Sequence, residues 1–175
     1  MLSKLCALCA SVVNLCFFIH IQEFIMIHDY DHRELEMTLL VTPEMANFSG
    51  RMHGGELLRW LDKVAYTCAS RYSGQYPVTL SVDRVLFKQP IHIGEMLTFL
   101  ARVNYTGRSS MEIGIKVISE DIRTRSVRHT NTCYFTMVAI DDQGRSVAVP
   151  PLEISTPEDQ KRWDGAIRRR EQSKG

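Results

Sequence analysis

The sequence lacks several features that mark common classes of protein. Its 175 residues carry a formal net charge of +1, so no excess of positive charge points to nucleic acid. It contains no Gly-x-Ser-x-Gly elbow, which argues against a serine hydrolase of that type. No internal repeat or low-complexity linker divides the chain, and a chain of this length is expected to form one domain.

The five cysteines do not form a disulfide framework. Three lie in the first 16 residues, whereas Cys68 and Cys133 stand alone on a predicted helix and a predicted strand. This distribution favours reduced thiols and a cytoplasmic protein. The pair Cys6 and Cys9 is followed by no second pair, and His92 and His129 have no ligand spacing between them. No metal site is therefore expected.

A mostly apolar run occupies residues 5–27 and could be taken for a signal peptide or a membrane anchor. Asn14 interrupts it, an acidic residue closes it early for a membrane span, and no clean cleavage site follows. We expect residues 1–36 to be an N-terminal extension with no membrane role. A start of translation at Met26 or Met37 is favoured over anchoring, and the sequence does not decide whether the extension is translated.

The most informative stretch is NFSGRMHGGELLRWLD, at residues 47–62. Gly54 and Gly55 allow a tight turn and leave the first N–H groups of a helix uncovered, as in an oxyanion hole. Apolar residues then recur at helical spacing, namely Leu57, Leu58, Leu61, Val64, Ala65 and Ala69. Asp62 is predicted to lie in this buried stripe. A carboxylate there either serves catalysis or pairs with a nearby cation.

Most of the remaining chain alternates apolar and polar residues, which predicts half-buried strands. The predicted strands are residues 37–42, 78–83, 97–103, 111–118, 128–140 and a short return strand at 146–149 after a turn at 141–144. An α+β fold accommodates this order if a long antiparallel sheet wraps around one central helix, since the helix then buries its apolar stripe against the concave face.

A second helix is predicted near the C-terminus. Thr156, Pro157 and Asp159 supply a hydroxyl cap, a proline at the first helical position and an acid at the third. The run Arg168-Arg169-Arg170 near its end could attract the phosphates of a nucleotide. A solvated, frayed basic end is the favoured interpretation.

Three further motifs complete a family resemblance. They are VTLSVDRVLF at residues 78–87, PIHIGE at 90–95 and GRSSME at 107–112. With residues 47–62 they resemble the hotdog-fold acyl-CoA thioesterases, specifically the bacterial YciA and mammalian brain acyl-CoA hydrolase group. The resemblance implies a hotdog domain over residues 37–151, a C-terminal helical tail at 152–175, and hydrolysis of fatty acyl-CoA to free fatty acid and CoA.

Helix geometry predicts that the catalytic unit is a dimer. Gly54 and Asp62 are eight residues apart, or about 12 Å along one helix, so one helix cannot place both on one thioester. Two antiparallel helices can, because the start of one then lies beside Asp62 of the other. The resemblance implies the same homodimer, with Asn47 and Asp62 from different subunits flanking the thioester, and further assembly into a trimer of dimers.

The predicted catalytic residues are Asn47, Gly55 and Asp62. The Gly55 N–H would bind the developing oxyanion, with the Glu56 N–H as a second candidate donor, and Asp62 would activate water or attack the carbonyl directly. The sequence leaves these two routes open. Asn47 would orient the water or the thioester, and the alternative for this residue is a turn-forming role.

The residues expected to bind substrate and CoA are His53, Gly54, Thr79, Ser81, Lys88, Gly107, Arg108, Ser109 and Ser110, and the resemblance implies that the loop at 107–110 contacts CoA. Residues 107–110 would hold phosphate or pantetheine, unless they form an ordinary hairpin turn. Thr79 and Ser81 resemble strand residues beside the thioester, and Lys88 is a second basic candidate. His53 is interpreted as structural rather than as a base.

Two rival functions fit less well. A hotdog hydratase or dehydratase would pair a histidine with an acid, and Asn47 stands in the relevant place. A non-catalytic acyl-CoA-binding module in a regulator would need a DNA-binding segment, and residues 1–36 show neither a helix-turn-helix pattern nor a basic face. The sequence therefore predicts a thioesterase that needs no cofactor beyond the CoA of its substrate. Neither nucleic acid nor membrane is expected as a partner, and acyl chain length is not predicted.

Overall fold

The computed structural model describes residues 31–83 and 85–173. Their elements, in chain order, are β1 (Glu34–Leu40), a 3-10 turn (Pro43–Met45), α1 (Gly54–Ser73), β2 (Tyr76–Val82), β3 (Glu95–Thr106), β4 (Ser110–Asp121), β5 (Ser126–Ile140) and α2 (Pro157–Gln172). None of the helices within these ranges is long and apolar enough to cross a membrane. The predictions for residues 1–30, including three cysteines, lie outside the described residues.

The five strands form one antiparallel sheet in the order β1-β3-β4-β5-β2. Alternate residues of the long central strands point to one face, which we call the inner face, and pack against α1. On β4 these are Met111, Ile113, Ile115 and Val117, all fully buried. The predicted α+β fold, a long antiparallel sheet around a central helix, is confirmed.

Helix α1 begins after His53, whose side chain caps it, and ends at Gly74, which has a φ of 66°. This left-handed conformation favours glycine, and it stops the helix where β2 must begin. The residues that α1 buries are Leu57, Leu61, Val64, Ala65, Cys68, Ala69 and Ser73. Leu58, predicted to lie in the buried stripe, is exposed in the single chain because it lies beside the face that meets the sheet.

Helix α2 packs on the opposite face of the sheet, which we call the outer face. Its capping box is formed as predicted, with Thr156 and Asp159 each accepting a hydrogen bond from the other's backbone N–H. The prediction of a solvated basic end is wrong for Arg169 and Arg170. Arg169 forms two hydrogen bonds to Glu112, which is only 3% exposed.

Two boundaries differ from prediction. The sheet begins at Glu34, so three residues assigned to the N-terminal extension lie in β1. Residues 146–149 do not form a strand and make one isolated bridge, between Ile140 and Ser146. The reason is that this segment does not follow a single neighbour, since Val147 donates to Ala139 on β5 and Val149 donates to Arg108 beyond the end of β3.

Strand β2 lies at an edge of the sheet, and its apolar side chains are not half-buried as predicted. Within the described residues it pairs with β5 alone. Its exposed apolar side chains are Tyr76, Val78, Leu80 and Val82, with Leu80 69% exposed. An unpaired strand edge beside exposed apolar side chains is suited to pairing with another chain.

Candidate active site

Asp62 is held by a hydrogen bond from β2. The Thr79 hydroxyl donates to Asp62 Oδ1 at 2.6 Å. In the single chain Asp62 is exposed, so its predicted burial is wrong. It follows Leu61, which faces the sheet, and successive helical residues point about 100° apart. The carboxylate is oriented by the protein and open to water or to a second molecule.

Thr79 and Ser81 do not share a face of the sheet. Thr79 pairs with Met137, whereas Ser81 pairs with Thr136, so the register shifts by one residue at Leu80. Thr79 therefore lies on the inner face with Met137, and the bulge turns Ser81 towards the outer face. Ser81 is therefore not beside Asp62 in the single chain, and its expected position beside the thioester stays a prediction. The alternation of apolar and polar residues at 78–83 did not reveal the bulge.

The start of α1 has one open N–H group. The Gly55 N–H, predicted to bind the oxyanion, donates to the His53 ring Nδ1 at 3.0 Å. The N–H groups of Glu56 and Leu57 both donate to the His53 carbonyl. Among the described residues the Gly54 N–H has no acceptor. Gly54 is thus the free donor, and His53 has the structural role predicted for it, as the helix cap.

Asn47 shapes the turn that leads into α1. Its amide oxygen accepts hydrogen bonds from the Ser49 N–H at 2.9 Å, the Ser49 hydroxyl at 2.7 Å and the Arg51 N–H at 3.3 Å. The turn-forming role raised as an alternative is therefore present. It leaves the amide nitrogen of Asn47, a donor of two hydrogens, without a partner in the described chain.

A pocket of about 360 Å³ opens beside the start of α1. It is lined by Asn47, Arg51, Met52, Gly54, Leu57, Phe87, Lys88, Gln89, Pro90 and Ile91. The structure thus brings together Asn47, Gly54 and Lys88 as predicted residues of one site. Arg51 joins them, and sequence analysis missed it, although its position inside the NFSGRMHGG motif was a usable signal.

The 107–110 loop connects β3 and β4. Ser110, at the end of the loop, pairs with Val138, and Val138 pairs with Val78, the neighbour of Thr79. This end of the loop therefore lies two strands, or about 10 Å, from β2 at Thr79. Arg108 is exposed, and the described chain offers its side chain no hydrogen-bond partner. The Gly107 N–H donates to the Ser110 carbonyl, which closes the turn. The predicted hairpin turn is present, and its arginine is available to a ligand.

The outer face carries a second group of charges, at Asp83, Glu112 and Arg169. Burial raises the pKa of the Asp83 carboxyl, and the nearby Glu112 raises it further, while Arg169 acts in the opposite direction. Arg169 also lies over the Tyr134 ring, 3.6 Å from its centroid. These groups anchor α2 and lie on the side of the sheet away from Asp62.

In one chain the site is therefore in two parts. One part is Asp62 with Thr79, and the other is the start of α1 with Asn47 and the pocket. The eight residues between Gly54 and Asp62 separate the two parts by about 12 Å along α1. Neither part has both a carboxylate and an open N–H donor.

A sheet around one helix, with glycines at the start of that helix and a carboxylate further along it, is the arrangement expected of hotdog-fold proteins that act on thioesters. The model of the thioesterase superfamily matches residues 49–126. Protein VdlD of Helicobacter pylori is 54% identical over 141 residues, which cover 81% of this chain and 80% of that protein. The acyl-CoA thioester hydrolase YkhA of Bacillus subtilis, described as uncharacterized, is 32% identical over 137 residues, 78% of this chain and 80% of that protein.

Solved structures agree. An apo-hexameric acyl-CoA thioesterase superposes with a TM-score of 0.79 at 33% identity, covering 82% of this chain and 92% of that one. An acyl-CoA hydrolase of Staphylococcus aureus, in complex with butyryl-CoA, CoA and CoA disulfide, superposes with a TM-score of 0.75 at 31% identity, covering 82% of this chain and 87% of that one. Alanine mutants of the same hydrolase at an asparagine, an aspartate and a threonine have also been solved.

The chain is thus a hotdog-fold member of the thioesterase superfamily. Within it, the chain belongs to the acyl-CoA thioesterases, as the resemblance implied.

Proposed function

We propose that this protein hydrolyses the thioester of fatty acyl-CoA at a site completed by two copies of the chain. The observation that supports the shared site is the separation of its two parts within one chain. Antiparallel packing of two α1 helices would place the start of one beside Asp62 of the other, and twofold symmetry would repeat the site.

The edge strand and the relatives both support a homo-oligomer. Strand β2 offers an open edge and exposed apolar side chains, and pairing of two such edges would extend one sheet across the dimer. Two of the similar solved thioesterases are described as hexameric. We infer a dimer as the catalytic unit and a trimer of dimers as the full assembly.

In the shared site the thioester carbonyl oxygen would accept a hydrogen bond from the Gly54 N–H. The Gly55 N–H would become a second donor once the substrate oxygen replaces the His53 ring nitrogen. Asp62 from the other chain would take a proton from water or attack the carbonyl carbon itself. In the first route the water oxygen bonds to the carbonyl carbon, the carbon–sulfur bond breaks and the CoA thiolate takes the proton from Asp62. In the second route Asp62 forms a mixed anhydride with the acyl group as the CoA thiolate leaves, and water then hydrolyses this anhydride to the fatty acid and restores the carboxylate.

Asn47 and Thr79 would orient the reacting groups. The Asn47 amide oxygen accepts the hydrogen bonds of its turn, and the amide nitrogen has no partner in the described chain and could donate to the substrate. Thr79 holds one carboxylate oxygen of Asp62 and leaves the other for the reaction. In the Staphylococcus aureus hydrolase the mutated asparagine, aspartate and threonine have successive spacings of 15 and 17 residues. Asn47, Asp62 and Thr79 have the same two spacings, which supports these roles.

Positive charge lies where CoA would have to bind. Lys88 and Arg51 line the pocket, and Arg108 is exposed on the 107–110 loop. These groups would hold the phosphates and the pantetheine arm. No further cofactor and no metal enters this scheme, and we place the reaction in the cytoplasm.

The function is tested by measuring free thiol released from acyl-CoA substrates of several chain lengths. We expect Asp62→Ala to remove turnover while the oligomer stays intact, because the exposed carboxylate contributes little to packing. Wild-type protein that binds acyl-CoA but releases no thiol would show a non-catalytic binding module instead. Asp62→Ala retaining turnover within about tenfold of wild type, or ~1.4 kcal/mol in the barrier, would remove Asp62 from catalysis.

The shared site is tested separately by subunit exchange. We expect a mixture of inactive Asp62→Ala and inactive Asn47→Ala proteins to recover activity, because each mixed dimer would hold one intact site. Mixtures of each variant with itself are the controls. If native mass spectrometry detects the mixed dimers and no activity returns, Asn47 and Asp62 do not act across an interface.

A further inference from the structure

Helix α2 contacts both strands that flank the 107–110 loop. Arg170 Nη1 donates a hydrogen bond to the Ser110 hydroxyl at 3.1 Å. The guanidinium of Arg170 also lies over the Tyr105 ring, 4.9 Å from the ring centroid. Tyr105 is near the end of β3 and Ser110 begins β4. One side chain from the C-terminal helix therefore spans the base of the loop.

Several contacts other than those of Arg170 hold α2 on the sheet. Arg169 forms two hydrogen bonds to the buried Glu112, at 2.6 and 3.0 Å. Trp163 packs on the Tyr105 ring with 4.5 Å between ring centroids. Asp159 at the other end of α2 pairs with Arg102. These contacts account for the docking of the helix, and the contact between Arg170 and Ser110 adds to them at the 107–110 loop.

The chemistry of the contact suits a phosphate. The Ser110 hydroxyl accepts from Arg170, which leaves its own hydrogen free to donate. A guanidinium has five N–H donors in a planar fork that matches phosphate oxygens. No carboxylate in the described chain forms an ion pair with Arg170, whereas the charge of its neighbour Arg169 is matched by Glu112. Arg170 thus adds an unneutralised positive charge at a loop that already carries the exposed Arg108.

We propose that Arg170 belongs to the CoA-binding site. It fixes the Ser110 hydroxyl as a donor and, together with Arg108, provides positive charge for the phosphates at the nucleotide end of CoA. This inference rests on the proposed function, since it requires the 107–110 loop to contact CoA. It gives the C-terminal helix a part in substrate binding, in addition to covering the outer face.

Arg168 provides a matched control. It lies on the same helix, carries the same charge and is exposed. The test compares Arg170→Ala with Arg168→Ala, using one acyl group carried either on CoA or on pantetheine. We expect Arg170→Ala to raise KM for acyl-CoA about three- to thirtyfold, with kcat nearly unchanged. Arg168→Ala should leave KM within about twofold, because screened surface charges act weakly. Both variants should hydrolyse acyl-pantetheine as the parent does.

Two results would overturn the inference. One is an equal KM for acyl-CoA in Arg170→Ala and Arg168→Ala. The other is an equal defect of Arg170→Ala with both substrates, which would show that Arg170 only supports the loop. Failure of the wild-type protein to hydrolyse acyl-CoA would instead refute the proposed function, so the two failures are distinguishable.

A double-mutant cycle gives a second measurement. We expect the KM effects of Arg170→Ala and Ser110→Ala to be less than additive, because each removes the same hydrogen bond. Fully additive effects would contradict the positioning of Ser110 by Arg170. Arg170→Lys keeps the charge without the planar fork, and it should recover part of the lost KM in a protein that remains folded. No recovery in a folded Arg170→Lys protein would show that the charge of residue 170 does not act on CoA.

Discussion

The hydrogen bond from Thr79 to Asp62 can be removed with little change in shape. Thr79→Val replaces the hydroxyl by a methyl group, and valine is well accommodated in a strand. Asp62 Oδ1 would lose the donor that lies at 2.6 Å in the structure. The carboxylate would then be free to rotate, and its productive orientation would be populated for a smaller fraction of the time.

The structure bounds the size of this effect. A hydrogen bond to a charged group contributes about 1.5 to 3 kcal/mol. Since about 1.4 kcal/mol corresponds to a tenfold change in rate, the loss of such a bond in the transition state would lower kcat about ten- to 150-fold. Both side chains are exposed in the single chain, so the upper end applies only if a second copy covers them. A fall in kcat near the upper end would therefore indicate that a second copy of the chain covers Asp62 and Thr79.

The assay is thiol release at saturating and at limiting acyl-CoA. We expect kcat to fall and KM to stay near the wild-type value, since the observed contact of Thr79 is with the carboxylate that reacts. Thr79→Ser keeps a hydroxyl and should stay within about threefold of wild type in kcat, because the donor is retained. Thermal melting of both variants checks the fold. A Thr79→Val protein with wild-type kcat would refute the positioning of Asp62 by this bond.

Two further predictions concern Arg108 and the buried cysteines. Because Arg108 is exposed, Arg108→Ala should raise KM for acyl-CoA by no more than about fivefold and leave acyl-pantetheine hydrolysis unchanged. An unchanged KM for acyl-CoA would show that the 107–110 loop is an ordinary turn without a role in binding CoA. Burial raises the pKa of Cys68 and of Cys133 to about 12, so iodoacetamide at about pH 8 should modify neither until denaturant is added. Peptide mass spectrometry checks this, and labelling of either thiol in the native protein would contradict its burial.

The sequence predicted the elements that depend on local chemistry. Alternation located β3, β4 and β5, and the pattern Thr156-Pro157-x-Asp159 predicted the first turn of α2. Prediction from the sequence failed where the structure depends on contacts between residues far apart in the chain. The bulge at Leu80 separates Ser81 from Thr79, and it arises from pairing with β5 about 56 residues later. Arg169 and Arg170 were predicted to be solvated because Glu112 and Ser110 are far from them in the chain.

The family and the fold could be read from the sequence, and the reacting groups stay a prediction from it. The run from Asn47 to Asp62 contains the asparagine, the glycines and the carboxylate, because a glycine-rich turn followed by a helix is a local feature. Which hydrogen-bond donors and acceptors of these residues remain available depends on the contacts of the folded chain. The Gly55 N–H donates to the His53 ring, and the Asn47 amide oxygen accepts hydrogen bonds within its own turn. Asp62 accepts a hydrogen bond from Thr79, which orients the carboxylate. Each donor or acceptor bonds to a group that the fold brings within hydrogen-bonding distance. The spacing of residues along the chain does not specify which group that is.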